Sequence, residues 1–364
     1  MVCKRQRMAA AFPPGDMLRE KLDELGMPIK EFALRCCKPE PTIHAVLQGK
    51  SSVTSEMAIL FEKVLGIPAH LWLNMQCQYD EYVARRKHES ELKGGVKWAE
   101  NFPFSEMVAK GFLTAPAHCD SLEKLESLLD FFGFAKPDVW KKYYEHQVLR
   151  SEFSLSLSGL PDAFALSAWI RFGEKMASGC TELPSFSVDG LKAALPEMQE
   201  LANSSKEDFL QDLKACCKRI GIILICTPHL RGSGAQGATR WLKDNPFVQI
   251  VDSYKRYDTF WFTFFHEIGH ILLHGKREVF LEGIDYHQKD LVKEKEADDF
   301  ASERLIPRSS ATKLLSFKYS KNALNDFCKQ EHLHWAFVVG RLQQLKLLTL
   351  SKKRLNIPGV QFTV

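Results

Sequence analysis

Residues 259–273 read Thr-Phe-Trp-Phe-Thr-Phe-Phe-His-Glu-Ile-Gly-His-Ile-Leu-Leu, and the five from His266 to His270 decide what the fold must hold. Only Gly269 disfavours a helix there, at a cost of about 1 kcal/mol. On a helix, His266 and His270 stand one turn apart on one face, close enough to share one metal ion. Glu267 then lies beside the metal, where it can take a proton from the attacking water. This is the H-E-x-x-H arrangement of zinc hydrolases. The competing reading is a core helix with two hydrogen-bonded histidines, but it buries an ionised glutamate with no reason to be there.

A zinc site needs a third protein ligand. Downstream, Lys293-Glu294-Lys295-Glu296-Ala297-Asp298-Asp299-Phe300-Ala301 precedes Arg304-Leu305-Ile306-Pro307. Phe300, Ala301 and Leu305 fit one helical face, and Pro307 ends the helix. Glu294 and Glu296 are separated by about 200° around such a helix, so only one can face inward. Glu294 is the expected ligand and Glu296 the alternative. Asp298, one turn beyond Glu294, can orient a ligand histidine from outside. Among the cysteines only Cys328 follows the histidines, and no metal-binding spacing surrounds it.

The pair H-E-I-G-H-I-L-L-H and E-K-E-A-D-D-F-A resembles the ImmA/IrrE family of zinc metallopeptidases. Gly237–Leu242 and Pro246–Ile250 also resemble that family's sheet, and the similarity spans residues 205–350. The resemblance implies that His266, His270 and a glutamate of the 294–296 segment bind Zn2+, with Glu267 as catalytic base.

The chain has 364 residues, 45% of them hydrophobic, enough for two or three domains with a sizeable core. No run of 18 apolar residues occurs, so no membrane partner is expected. Ten cysteines include the adjacent pairs Cys36-Cys37 and Cys216-Cys217 and no C-x-x-C, a pattern of reduced thiols in a cytoplasm. The formal charge of +4 permits nucleic-acid contact without arguing for it.

Residues 14–87 carry short helical patterns: one from Met17 to Met27, one over 29–36, and one from Thr42 closed by Gly49. A fourth over 55–65 is expected to be capped by Ser55 and stopped by Gly66, and a fifth starts at Leu71. Helices two and three suit a helix-turn-helix. The spacing Phe32-Ala33, Ile43, Leu47, Gly49-Lys50, with Leu71-Trp72 following, resembles the small repressors that include the HigA antitoxins. The resemblance places Thr42, His44, Gln48 and Lys50 toward double-stranded DNA. Where that family usually has a turn glycine, Cys37 stands here, and a left-handed conformation costs it about 1–2 kcal/mol. A helical docking module that no longer reads DNA is the other reading of this domain.

Residues 88–204 read as a helical connecting or sensing region, with helices over 121–134, 163–177 and 188–203. Gly232 to Gly237 matches G-x-G-x-x-G after a probable strand over 221–226, but a strand pair around 243–246 follows where a dinucleotide site needs a helix. A loop leading to a sheet edge, where an extended peptide can add as a strand, fits better. The carboxyl end forms a helical pair around 330–334; of its histidines, His332 or His334 is a candidate oxyanion stabiliser, while His274 and His287 carry no assigned role.

The expected fold is α+β: an all-α helix-turn-helix domain (14–87), a helical middle region (88–204) and a zincin-like metallopeptidase domain with a small sheet (205–364). The expected function is a zinc endopeptidase coupled to a repressor-like DNA-binding domain, cleaving a partner regulator or antitoxin. The alternative is a HigA-like antitoxin or transcriptional regulator whose zincin domain is a docking or sensing platform. A homodimer is left open as the assembly.

Overall fold

In the computed structural model of the chain, residues 11–116, 118–144, 162–180, 182–204, 206, 208–251, 256–274, 280–281, 288–318 and 320–348 are described. The fold is α+β and divides into two compact units, residues 1–96 and 97–364. No helix of the described residues is long and apolar enough to cross a membrane.

The first unit is all-helical: α1 (Pro14–Glu24), α2 (Ile29–Arg35), α3 (Glu40–Leu47), α4 (Ser55–Leu65) and α5 (Ala69–Leu92). Its core is aromatic at the centre, with the Phe32 and Phe61 rings 5.1 Å apart and Phe61 set edge-on to Trp72 at 5.5 Å. Leu18, Ile43 and Val46 close around them. Two polar contacts fix the ends: Arg19 donates to the Leu47 carbonyl at 2.9 Å, and buried Gln76 accepts from the Val53 amide at 2.9 Å. Helix α4 is capped by Thr54, whose hydroxyl accepts from the Met57 amide, rather than by Ser55. The two hydroxyl residues are adjacent, and only the one held extended can cap. Gly66 ends α4 in the left-handed conformation, as the sequence predicts.

Helix α6 (Val96–Ala99) begins at the boundary, and the second unit carries α7 (Phe104–Ala109), α8 (Ser121–Phe132), α9 (Pro137–Tyr143), α10 (Ala163–Ser178), α11 (Val188–Asn203) and α12 (Phe209–Arg219). Strands β1 (Ile223–Thr227), β2 (Gly237–Leu242), β3 (Asn245–Val251) and β4 (Phe280–Leu281) form one sheet. Helix α13 (Tyr257–Leu273) runs between β3 and β4. Helices α14 (Gln288–Leu305), α15 (Arg308–Leu314), α16 (Lys321–Glu331) and α17 (Trp335–Gln344) complete the unit.

Sheet order is β1-β3-β2-β4, with β1 parallel to β3 and the other pairs antiparallel. A strand therefore follows the glycine-rich 232–237 loop, where a phosphate-binding turn requires a helix. Pro246 is tolerated in the interior strand because β1 joins β3 only from Phe247 onward.

Period-two alternation gives the sheet two different faces. Leu224, Val248 and Ile250 meet Phe260, Trp261, Phe264, Phe265 and Ile268 of α13 in the main core. Ile223, Ile225 and Phe247 cluster with Ala177 of α10 on the opposite side. On that second face, Arg240 donates to Glu174 at 2.6 Å, to the Ile170 carbonyl and to Gln249. Middle-region helix α10 is thus fastened to the sheet by a buried, charge-assisted network.

Helices α13 and α14 approach closely because Gly269 has no side chain. A Cβ there would lie 3.2 Å from Ala297 Cα and 3.3 Å from the Phe300 ring. Gly269 costs helix propensity locally and recovers it in contact between the helices.

Candidate functional site

Helix α13 holds His266, Glu267 and His270 on the turn where Gly269 meets Ala297, and all three side chains are buried. The same close approach sets Glu294 of α14 opposite them. Its carboxylate oxygens lie 3.2 Å from His266 Nε2 and 3.2 Å from His270 Nε2. The two Nε2 atoms are 2.9 Å apart. One donor atom from each of the three residues falls within 4.8 Å of the others.

Glu296, the alternative ligand, turns away from this group: its Oε2 lies 3.0 Å from His274 Nε2. Asp298 lies outside the group too, with Oδ1 2.9 Å from His266 Nδ1. An ionised carboxylate can only accept, so the proton of a neutral His266 sits on Nδ1 and its Nε2 presents a lone pair. Glu294 Oε1 is buried, with His270 Nε2 3.2 Å away.

The electrostatics favour the charge states a metal requires. Burial pushes the Glu294 carboxyl up, but the neighbouring His266 and His270 outweigh it and hold the group at about 2. Burial lowers His270 below its ordinary value against the opposing pull of Glu294, which keeps the imidazole neutral. Two neutral imidazoles and one carboxylate with converging lone pairs form a donor set suited to a divalent cation with nitrogen and oxygen ligands. The three side chains fit such a cation.

Glu267 points from α13 to strand β2. The Thr239 hydroxyl donates to its Oε2 at 2.5 Å and also lies 3.2 Å from the Glu267 carbonyl. Gly237 makes room: a Cβ there would sit 2.5 Å from Glu267 Oε1 and 2.7 Å from Thr263 Cγ2. Thr239 and Gly237 form this seat, in a segment that the sequence predicts only as strand. The signal that could have found them is the period-two alternation, which aims 237 and 239 at one face.

Of the remaining histidines, His334 is spent on structure. Its Nδ1 accepts from the Ala336 amide as the N-cap of α17, and its ring packs tilted against Tyr257, with the centroids 4.5 Å apart. Burial pushes its pKa down to about 4. His332 ends α16 in the left-handed conformation. His287 lies outside the described residues.

In the first unit, Thr42 is half-buried on α3, His44 is exposed on the same helix, Gln48 caps its carboxyl end and Lys50 is exposed just beyond. His44 Nε2 lies 3.6 Å from Glu40. Cys37, in the turn between α2 and α3, is left-handed at φ 51°.

Residues 229–330 match the family model of the IrrE N-terminal-like domain, and residues 18–72 match that of a helix-turn-helix. The first match spans His266, Glu267, His270 and Glu294. Over 70 residues the chain is 40% identical to an uncharacterized HTH-type transcriptional regulator, YddM, of Escherichia coli (strain K12), covering 19% of this chain and 74% of that one. Among solved structures, it resembles a putative antidote protein of a plasmid maintenance system from Nostoc punctiforme at 31% identity, covering 24% of this chain and 94% of that chain, with a TM-score of 0.23. An addiction module antidote protein of a HigA family from Coxiella burnetii is 29% identical, covering 24% of this chain and 95% of that chain, with a TM-score of 0.22.

Proposed function

Because the chain belongs to the HTH-type transcriptional regulators and carries an IrrE-like domain, we propose that it is a zinc-dependent endopeptidase joined to a DNA-binding unit. Its substrate would be a partner regulator or antitoxin, and its compartment the cytoplasm. The observation that carries the reading is the convergence of His266, His270 and Glu294 next to a buried, seated Glu267.

His266, His270 and Glu294 would hold a zinc ion, which would supply Lewis acidity to the scissile carbonyl. Glu267 takes the proton of the attacking water and returns it to the leaving amine. Thr239 holds one carboxylate oxygen of this base in place. An extended substrate cannot add to β3, which is paired on both sides, so it would have to align along an outer strand of the sheet.

The test is Glu267→Gln. The variant should keep its zinc and lose cleavage of regulators encoded beside it. Undiminished cleavage refutes the catalytic role, and zinc-dependent binding without any cleavage by the native chain favours a docking or sensing platform.

In the first unit, Thr42, His44, Gln48 and Lys50 are proposed to face DNA. Lys50→Ala should weaken binding to promoter DNA across sequences and reduce the salt dependence by about one ion.

A further inference from the structure

His274 and Glu296 take no part in the donor set, yet their geometry reaches it. His274 follows His270 by one turn on α13, and its side chain is 4% exposed. Its Nε2 lies 3.0 Å from Glu296 Oε2, and its Nδ1 lies 3.0 Å from His270 Nδ1.

With His274 neutral and Glu296 ionised, the proton positions along this chain follow from what each atom can do. The ionised Glu296 carboxylate only accepts, so the proton of a neutral His274 sits on Nε2. His274 Nδ1 then offers a lone pair. A hydrogen bond between it and His270 Nδ1 needs one proton, which must be on His270. His270 is thereby an Nδ1–H imidazole, and its Nε2 lone pair faces His266 Nε2 and Glu294.

We propose that His274 and Glu296 are positioning residues that fix the tautomer and ring orientation of His270, and so hold its Nε2 in the donor set. The two ligand histidines are then oriented by different devices. His266 meets the carboxylate of Asp298 directly, whereas His270 meets that of Glu296 through an inserted imidazole. Partners of this kind orient metal-bound histidines, and their loss costs about 10–100-fold in metal affinity. The effect on affinity rests on the donor set being a metal site; the effect on the tautomer does not.

The experiment uses the full chain and three variants: His274→Phe, Glu296→Leu and Glu296→Gln. Glu296 is more than half exposed, so its replacement leaves the core intact. Zinc affinity is measured by competition with a chromophoric chelator, and the His270 tautomer by nitrogen-15 NMR of the metal-free protein. Glu296→Leu and His274→Phe should each weaken zinc binding about 10–100-fold and populate the Nε2–H form of His270. Glu296→Gln keeps an oxygen acceptor and should restore most of both. Unchanged tautomer and affinity within twofold in both disruptive variants overturn the proposal. If the native chain binds no zinc, the metal reading fails, and the tautomer shift still decides whether this pair positions His270.

Discussion

Replacing Gly237 by alanine probes how Glu267 is seated without touching any of the three metal donors. The new methyl would stand 2.5 Å from Glu267 Oε1 and 2.7 Å from Thr263 Cγ2, where ordinary contacts begin near 3.5 Å. The carboxylate must therefore recede by about 1 Å or β2 must lift from α13. Overpacking of this kind costs about 1–3 kcal/mol, which in a unit of this size lowers the melting temperature by about 2–10 °C. A catalytic group displaced by about 1 Å loses on the order of 100-fold in rate, equivalent to about 2.7 kcal/mol of barrier. The assay pairs thermal unfolding with zinc content and hydrolysis of a partner protein. Zinc content should match the native chain while hydrolysis falls. Adding Thr263→Ser removes the 2.7 Å contact and should recover part of the stability, but not the rate, since the 2.5 Å contact remains. A Gly237→Ala protein with native melting temperature and full hydrolysis would refute the placement of Glu267 against this strand.

Three further outcomes are expected. Glu294→Gln should leave the chain substoichiometric in zinc after dialysis, an affinity loss exceeding the roughly 10–100-fold of an outer partner; full occupancy by mass spectrometry would place the third donor elsewhere. His334 is held neutral down to about 4 against an ordinary 6.5, so the unfolded chain takes up this proton first as the pH falls. Its contribution is complete above pH 6.5 and is lost between there and about 4, at most roughly 3 kcal/mol. His334→Asn keeps a capping acceptor and should flatten that slope in denaturant titrations, and identical slopes would count against it. Cys37→Gly should stabilise the first unit by about 1 kcal/mol in chemical unfolding, because the native residue is left-handed at φ 51°; a loss would mean that the thiol side chain contributes more than the turn costs.

What the sequence made legible is what depends on neighbours along the chain. That His266 and His270 share a face follows from helical spacing, whereas the angular conflict between Glu294 and Glu296 says only that one of them faces inward, not which. The fold class and the short helices of the first unit follow from periodicity and from punctuation by glycine and proline. The Thr239 contact to Glu267 was not legible, since 28 residues separate the partners and sheet order alone brings them together. Nor was the His274 contact to Glu296, since 22 residues separate the two and only the packing of α13 on α14 brings them together. The Thr54 cap was missed by one position because backbone dihedrals, not residue type, choose between neighbouring hydroxyls. Gly269 read as a local cost to the helix, and its value became visible only with Ala297 opposite.

The alternation along β2 has a consequence for how this chain can change. Thr239 looks toward the acid of α13, and Arg240 looks the other way toward the acid of α10. The β2–β3 hairpin turns in two residues, Lys243 and Asp244. A one-residue slip of β2 against β3 would shift the phase of the strand and deliver a guanidinium to the wall that now supplies a hydroxyl. That cation would sit against Glu267 and neutralise the proposed base, while Glu174 would lose its counterion on the far side. Changes to this hairpin should therefore be tolerated as long as the register of β2 is kept, and a one-residue slip should silence the site with every metal donor still in place.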